Sequence, residues 1–141
     1  MILSFVVPGV PVGKARPRVT RNGTYVPKRT KQYMESIREA YGWRYQFDGP
    51  VFMEVYAWFP MPKRATKRDR KRIEELDYLY THKPDGDNVL KAVKDALNGI
   101  AYADDAQVAY ESILRKYARE GEAPRIEVVL YDQKGGRMDA E

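Results

Sequence analysis

Five aspartates (Asp85, Asp87, Asp95, Asp104 and Asp105) fall between Lys83 and Val108 in a chain that is otherwise basic. Carboxylates gathered this closely repel one another unless a divalent cation sits between them. The chain has no cysteine and a single histidine, His82, so the ligands on offer are hard oxygens, which favour Mg²⁺ or Mn²⁺ over zinc. If the run before the following helix is extended, Asp85 and Asp87 point the same way, because alternate side chains of an extended segment share a face. A third carboxylate could come from Asp104 or Asp105 if the chain returns past the start of that helix. Lys91 lies one turn beyond Asp87, where it could meet charge building on a phosphate. Asp95 is expected to hydrogen-bond Lys91 or a ligand from behind. Aspartate at a helix start is also common simply because it accepts backbone N–H bonds. The later Asp-Asp pair and the lysine stripe are what lift this segment above an ordinary cap.

The element that must position these groups is a helix over about Asn88 to Asn98. Pro84 and Gly86 disfavour helix at their own positions, Asp87 or Asn88 can cap it, and Gly99 sits where a C-terminal cap belongs. Leu90, Val93, Leu97 and Ile100 recur at spacings of three and four and face a core. Asp87, Lys91, Asp95 and Asn98 line a second, polar stripe at the same spacing.

In Lys83-Pro84-Asp85-Gly86-Asp87-Asn88, Lys91, Asp95-Ala96-Leu97-Asn98 and Asp104-Asp105-Ala106-Gln107-Val108 the chain resembles the RusA-type Holliday junction resolvases, metal-dependent endodeoxyribonucleases common in phages and prophages. A weaker likeness extends to the opening strand, to Gly13-Lys14-Ala15-Arg16-Pro17-Arg18 and to the last two strands. The resemblance implies that Asp85, Asp87 and Asp105 bind the metal and that Lys91 is the essential lysine. It also implies a small α+β fold that dimerises and acts on branched DNA in recombination and repair. Two departures stand out. Pro84 precedes the first aspartate where some members carry a basic residue, and the interval to the Asp-Asp pair is one residue shorter than in some relatives.

Charge supports a polyanionic partner. No acidic residue precedes Glu35, whereas Lys14, Arg16, Arg18, Arg21, Lys28, Arg29 and Lys31 all do, and a second block holds Lys63, Arg64, Lys67, Arg68, Arg70, Lys71 and Arg72 against Asp69 alone. Lys14, Arg16, Arg18, Arg21, Lys63, Arg64, Lys67 and Lys83 are the candidate DNA contacts, flanking an acidic centre. A solvated helix face is the plainer account of the second block. A non-catalytic branched-DNA-binding protein with a structural cation site is the rival function. A transferase gripping a nucleotide diphosphate through Asp-x-Asp is disfavoured, because no Gly-rich phosphate loop precedes a helix.

With 141 residues, 43% hydrophobic and 32% charged, the chain reads as one soluble domain over 1–132 with a frayed tail over 133–141. Absent cysteines exclude disulfides and thiolate sites. No apolar run approaches the roughly 20 residues of a membrane helix. The opening residues lack a signal peptide's basic start, so a cytoplasmic protein without membrane association or small-molecule cofactor is expected. The expected fold is α+β, a small mixed sheet of about four to six strands packed on two to three helices. Its strands are Ile2 to Val7, an Arg18 to Val26 hairpin turning on Asn22-Gly23, Val51 to Phe59, and a final hairpin of Val108 to Tyr117 with Arg125 to Tyr131. Two more helices are expected, Thr30 to about Tyr45 and, opened by the Thr66-Lys67-Arg68-Asp69 cap, up to about Leu79. Trp43 and Trp58 are expected in the core, and His82 in a loop.

Overall fold

The computed structural model describes residues 1–135. Strand β4, Val51–Phe59, is the centre of a four-stranded sheet ordered β1, β6, β4, β5, with β1 at Ile2–Pro8, β5 at Val108–Tyr117 and β6 at Arg125–Tyr131. Every second residue of β4, from Val51 to Phe59, is buried, which is the two-residue period of a strand with one face on the core. That buried face meets α1, Lys28–Tyr41, through Tyr33, Ile37 and Tyr41. It also meets α3, Gly86–Leu97, through Val89, Leu90, Val93, Ala96 and Leu97. On the opposite face Phe52, Glu54, Tyr56 and Trp58 are half-buried, with the Arg125 guanidinium 4.0 Å over the Trp58 ring. A separate two-stranded ribbon pairs β2, Arg18–Thr20, with β3, Gly23–Tyr25, and α2 spans Lys67–Leu76. No helix among the described residues is long and apolar enough to cross a membrane.

The α+β expectation holds: the described residues form a four-stranded mixed sheet, a two-stranded ribbon and three α-helices. Several local expectations do not. Strands β5 and β6 have the expected limits but form no hairpin, since β4 lies between them, parallel to β5 and antiparallel to β6. A nine-residue strand buried on one face takes partners along both edges, and the segment after β5 crosses the end of β4, where the Ala118 N–H donates to the Phe59 carbonyl at 2.7 Å. Helix α1 stops at Tyr41, capped by Gly42 at φ 72°, and leaves Trp43 71% exposed rather than in the core. Its first residue is Lys28, so Thr30 lies inside the helix, buried. Helix α2 begins at the expected Thr66 cap, which accepts from the Asp69 N–H at 3.1 Å, yet ends at Asp77, and Leu76 is 70% exposed. In the small ribbon only Gly23 takes a positive φ, and Asn22 does not. The expected tail lies mostly outside the described residues. Within them, the Lys134 and Gly135 N–H groups donate to the Asp132 carboxylate.

Candidate active site

Helix α3 starts two residues earlier than its composition suggests. Asp85 is the N-cap, extended at φ −71° and ψ 164°, and its Oδ1 accepts from the Asn88 N–H at 2.8 Å. Gly86, a poor helix former, is nonetheless its first residue, because a Cβ there would sit 2.8 Å from Ile113 Cγ2 on β5. Close packing of helix on strand requires glycine at that point. Asp87 is therefore already helical, and the alternation of an extended run does not relate it to Asp85. Both carboxylates stand at the N-terminal end of α3, where the helix dipole favours negative charge.

Three supports brace this end. Gly13 packs so closely that a Cβ would meet Pro84 Cβ at 2.7 Å, and the Lys14 N–H donates to the Asn88 carbonyl at 2.9 Å. The basic N-terminal segment is thereby laid along the first turn of α3. Arg115 on β5 donates through Nη1 to the carbonyls of His82 at 2.7 Å and Pro84 at 3.1 Å, with its guanidinium over the Tyr80 ring. Tyr80 stacks on Phe59 at 3.8 Å and donates its hydroxyl to the Lys83 carbonyl at 2.6 Å. Sequence reasoning missed Arg115 and Tyr80. The available signal was that Ile113, Arg115 and Tyr117 share one face of β5, so an arginine among inward residues had something to hold.

A cleft of about 640 Å³ lies between Lys14, Ala15, Arg16 and Pro17 on one wall and Asp85, Asp87, Asn88 and Lys91 on the other. Lys91 pairs with Asp87 at 3.2 Å across side chains that are 53% and 73% exposed. Arg18, Arg29 and Lys83 line an adjoining cavity that also reaches Lys14 and Asp85. Arg21 is exposed on the turn of the ribbon, and Lys63, Arg64 and Lys67 are exposed on the loop and first turn leading into α2. Asp95 is bound to Lys14, not to Lys91 as expected from the stripe.

Asp104 and Asp105 lie at the other end of the helix. Asp104 caps the short 3-10 turn Asp105–Gln107 in a reciprocal box with Gln107, whose amide also donates to the Phe47 and Gly49 carbonyls. The Asp105 N–H donates to Asn98 Oδ1 at 2.8 Å, which anchors it to the last turn of α3. Burial, then the adjacent Asp104 and Asp95 carboxylates, raise the Asp105 pKa against the opposing pull of Lys94. The expectation that the chain carries Asp104 and Asp105 back past the helix start does not hold, because both precede the return strand. Asn98 lies eleven residues beyond Asp87, about 16 Å along the axis at ~1.5 Å per residue. The strand gives a second ruler: Gly86 packs on Ile113, five residues into β5, about 17 Å from its start at ~3.3 Å per residue. Among the described residues no group of three or more Asp, Glu or His side chains is gathered as for a metal ion. One chain thus offers an Asp85–Asp87 pair in a basic cleft and a separate acidic turn at Asp104–Asp105.

The family model of the endodeoxyribonuclease RusA matches residues 8–131. A protein of Bacillus subtilis (strain 168) described as the uncharacterized protein YqaN is 36% identical over 137 residues, covering 91% of this chain and 94% of the relative. The matched span contains the whole cleft, both acidic ends of α3 and the N-terminal basic segment, and the chain belongs to the RusA endodeoxyribonuclease family.

Proposed function

We propose that the protein is a Mg²⁺-dependent, structure-selective endodeoxyribonuclease that resolves four-way DNA junctions by paired symmetric nicks, working as a homodimer. The observation that carries this reading is the cleft in which Asp85 and Asp87 stand opposite Lys14 and Arg16, with Lys91 on the same helix face. Hard oxygen donors beside cationic side chains suit a phosphodiester whose bridging bond is to be hydrolysed. Asp85 and Asp87 are the residues that would hold Mg²⁺ or Mn²⁺, and when bound the ion would supply a more acidic water and charge neutralisation.

The remaining roles belong to the chain itself. Lys91 is half-exposed and only loosely committed to Asp87, so it is free to turn to a scissile phosphate and neutralise charge there. Arg16, Arg18 and Arg29 present guanidiniums along the cleft and its neighbouring cavity, where they hold the flanking phosphates and set the strand's path. Lys14 orients this segment on α3 through Asp95 instead of contacting DNA as a free cation. Phosphate contacts position the nucleic acid without reading its sequence, so preference for a junction rests on the spacing and direction of its arms.

The deciding experiment is incubation of the purified protein with synthetic four-way, flapped and linear duplex DNA in Mg²⁺ or in EDTA. Paired nicks across the branch point of the four-way substrate, absent in EDTA, are expected. Tight junction binding without scission in either condition would favour a non-catalytic branched-DNA-binding protein with a structural cation site.

A further inference from the structure

Helix α2 closes one side of a cavity that the proposed reaction leaves unused. Asp69 and Arg72 on α2, Tyr78 and Thr81 on the segment after it, then His82 and Tyr117 at the end of β5, line a space of about 330 Å³. Its chemistry differs from that of the cleft. Asp69 and Arg72 are three residues apart on one helix, a spacing at which opposite charges ordinarily pair. Among the described residues neither forms an ion pair, with the other or with any third group. The Arg72 guanidinium instead lies 5.3 Å over the Tyr78 ring. Burial, then Tyr80, Asp69 and Tyr78, raise the Tyr117 pKa, so the Asp69 carboxylate and the Tyr78 ring lie within electrostatic reach of that hydroxyl. A free acceptor, a free fork of donors and three aromatic rings around one concavity suit a flat heterocycle that carries donors and acceptors on its edge. A phosphate would be repelled there by Asp69.

The cavity is joined to the cleft. It shares His82 and Tyr117 with a neighbouring cavity that Arg29, Tyr80 and Lys83 also line, and that one shares Arg29, Lys83 and Pro84 with the cavity beside Asp85. Cations dominate near the carboxylates, and aromatic rings dominate away from them. His82 precedes Asp85 by three residues, at most about 11 Å of extended chain at ~3.6 Å per residue. That span matches about three base steps of ~3.4 Å.

We propose that the α2 cavity holds an unpaired nucleobase of the strand that leaves the carboxylate cleft, and that it favours bases bearing an exocyclic amino group. Such a base donates its amino hydrogens to Asp69 and accepts from Arg72, the pairings that carboxylate and guanidinium make with base edges. Its face rests on the aromatic lining. Thymine has no exocyclic amine to offer Asp69. The inference rests on the junction-resolving reading above and deepens it, because extruding a base costs least where stacking is already interrupted, as at a branch point.

Base deletion scanned across a junction tests this. Four-way junctions carrying an abasic site at one position at a time around the branch point are titrated with protein in EDTA, so that binding is read without scission. One position within a few nucleotides of the branch is expected to lose about tenfold in affinity, the scale of one stacked base. Thymine at that position should also bind more weakly than cytosine or adenine. Tyr78→Ala, at a residue 45% exposed, should bind the intact junction about tenfold more weakly and lose nothing further at the abasic position. Asp69→Asn should erase the discrimination against thymine with an unchanged melting temperature, since the Thr66 cap uses the Asp69 N–H and not its carboxylate. Affinity that depends on no single base, or a dependence undiminished in both variants, overturns the proposal. The nuclease reading is judged apart, by cutting of the intact junction in Mg²⁺. Base-dependent binding without cutting keeps the pocket and removes the nuclease, cutting without base dependence does the reverse, and a wild type that binds no junction overturns both.

Discussion

The two ends of helix α3 carry the same kind of residue in opposite electrostatic settings. At the N-terminal end, Asp85 and Asp87 lie at the positive pole of the helix, beside Lys91 and the Lys14–Arg16 wall, and Asp85 is satisfied by the Asn88 N–H. At the C-terminal end, Asp104 and Asp105 lie at the negative pole, and burial, then the neighbouring Asp104 and the Lys14-paired Asp95, push the Asp105 pKa up. The first end is stable as it stands. The second is a place where the chain accepts repulsion, and such places gain most from a cation or a basic partner surface. The difference separates a carboxylate pair supported by its own fold from one whose neighbours repel it.

The largest expected effect breaks the N-terminal end. Asp85→Asn or Asp87→Asn should abolish cleavage while leaving junction binding equal or tighter, since a ligand charge is removed and no phosphate contact is lost. Mg²⁺-dependent nicking retained by both variants would refute the assignment. Next comes Lys91→Ala, expected to lower the cleavage rate about a hundredfold, the usual scale for one transition-state donor. The fold should be unaffected, because an exposed i,i+4 pair is worth at most about 0.5 kcal/mol. A variant that cuts at full rate, or melts many degrees lower, would show Lys91 to be a surface or packing residue.

A third measurement compares the cleft wall with the free cations around it. Junction affinity should fall steeply with salt, and alanines at Lys14, Arg16 and Arg18 should flatten the log-log slope by about 1.8, at ~0.9 for each of the two arginines. Lys14 is already neutralised by Asp95 and contributes little of its own. An unchanged slope would place DNA elsewhere on the molecule.

The smallest effect sharpens the C-terminal end. Because the Asp105 pKa is raised in the folded protein, the folded state holds its proton more tightly than the unfolded chain does. Stability linked to this group is fully present below the ordinary aspartate pKa and is lost as the pH rises through the folded value. Asp105→Asn, which cannot ionise, should therefore melt no lower than wild type at neutral pH without metal, and slightly higher, while losing cleavage. Scanning calorimetry from about pH 3 to 7, a window that spans the ordinary aspartate pKa, should show this difference shrink toward the acidic end. A variant that melts lower at neutral pH would mean that Asp105 is a structural carboxylate.

Residue types and short spacings by themselves determined the basic N-terminal segment, the apolar face of α3 and nearly all strand limits, since each depends on neighbours within a few positions. Strand β4 announced itself by β-branched and aromatic content, and the Thr66 cap by its hydroxyl ahead of Asp69. The linear order did not reveal that β4 would separate β5 from β6, because adjacency in a sheet is settled by which buried face needs covering and not by proximity in the chain. Nor could it reveal that Gly86 would be helical, that Asp95 would take Lys14, or that Arg115 would hold the carbonyls before Asp85, each a contact between distant segments. Most of all, the order of residues allowed Asp105 to rejoin Asp85 and Asp87. Only the fixed rise of α3 and the position of Gly86 on Ile113 place it at the far end, since distance along a helix is set by geometry that composition does not encode.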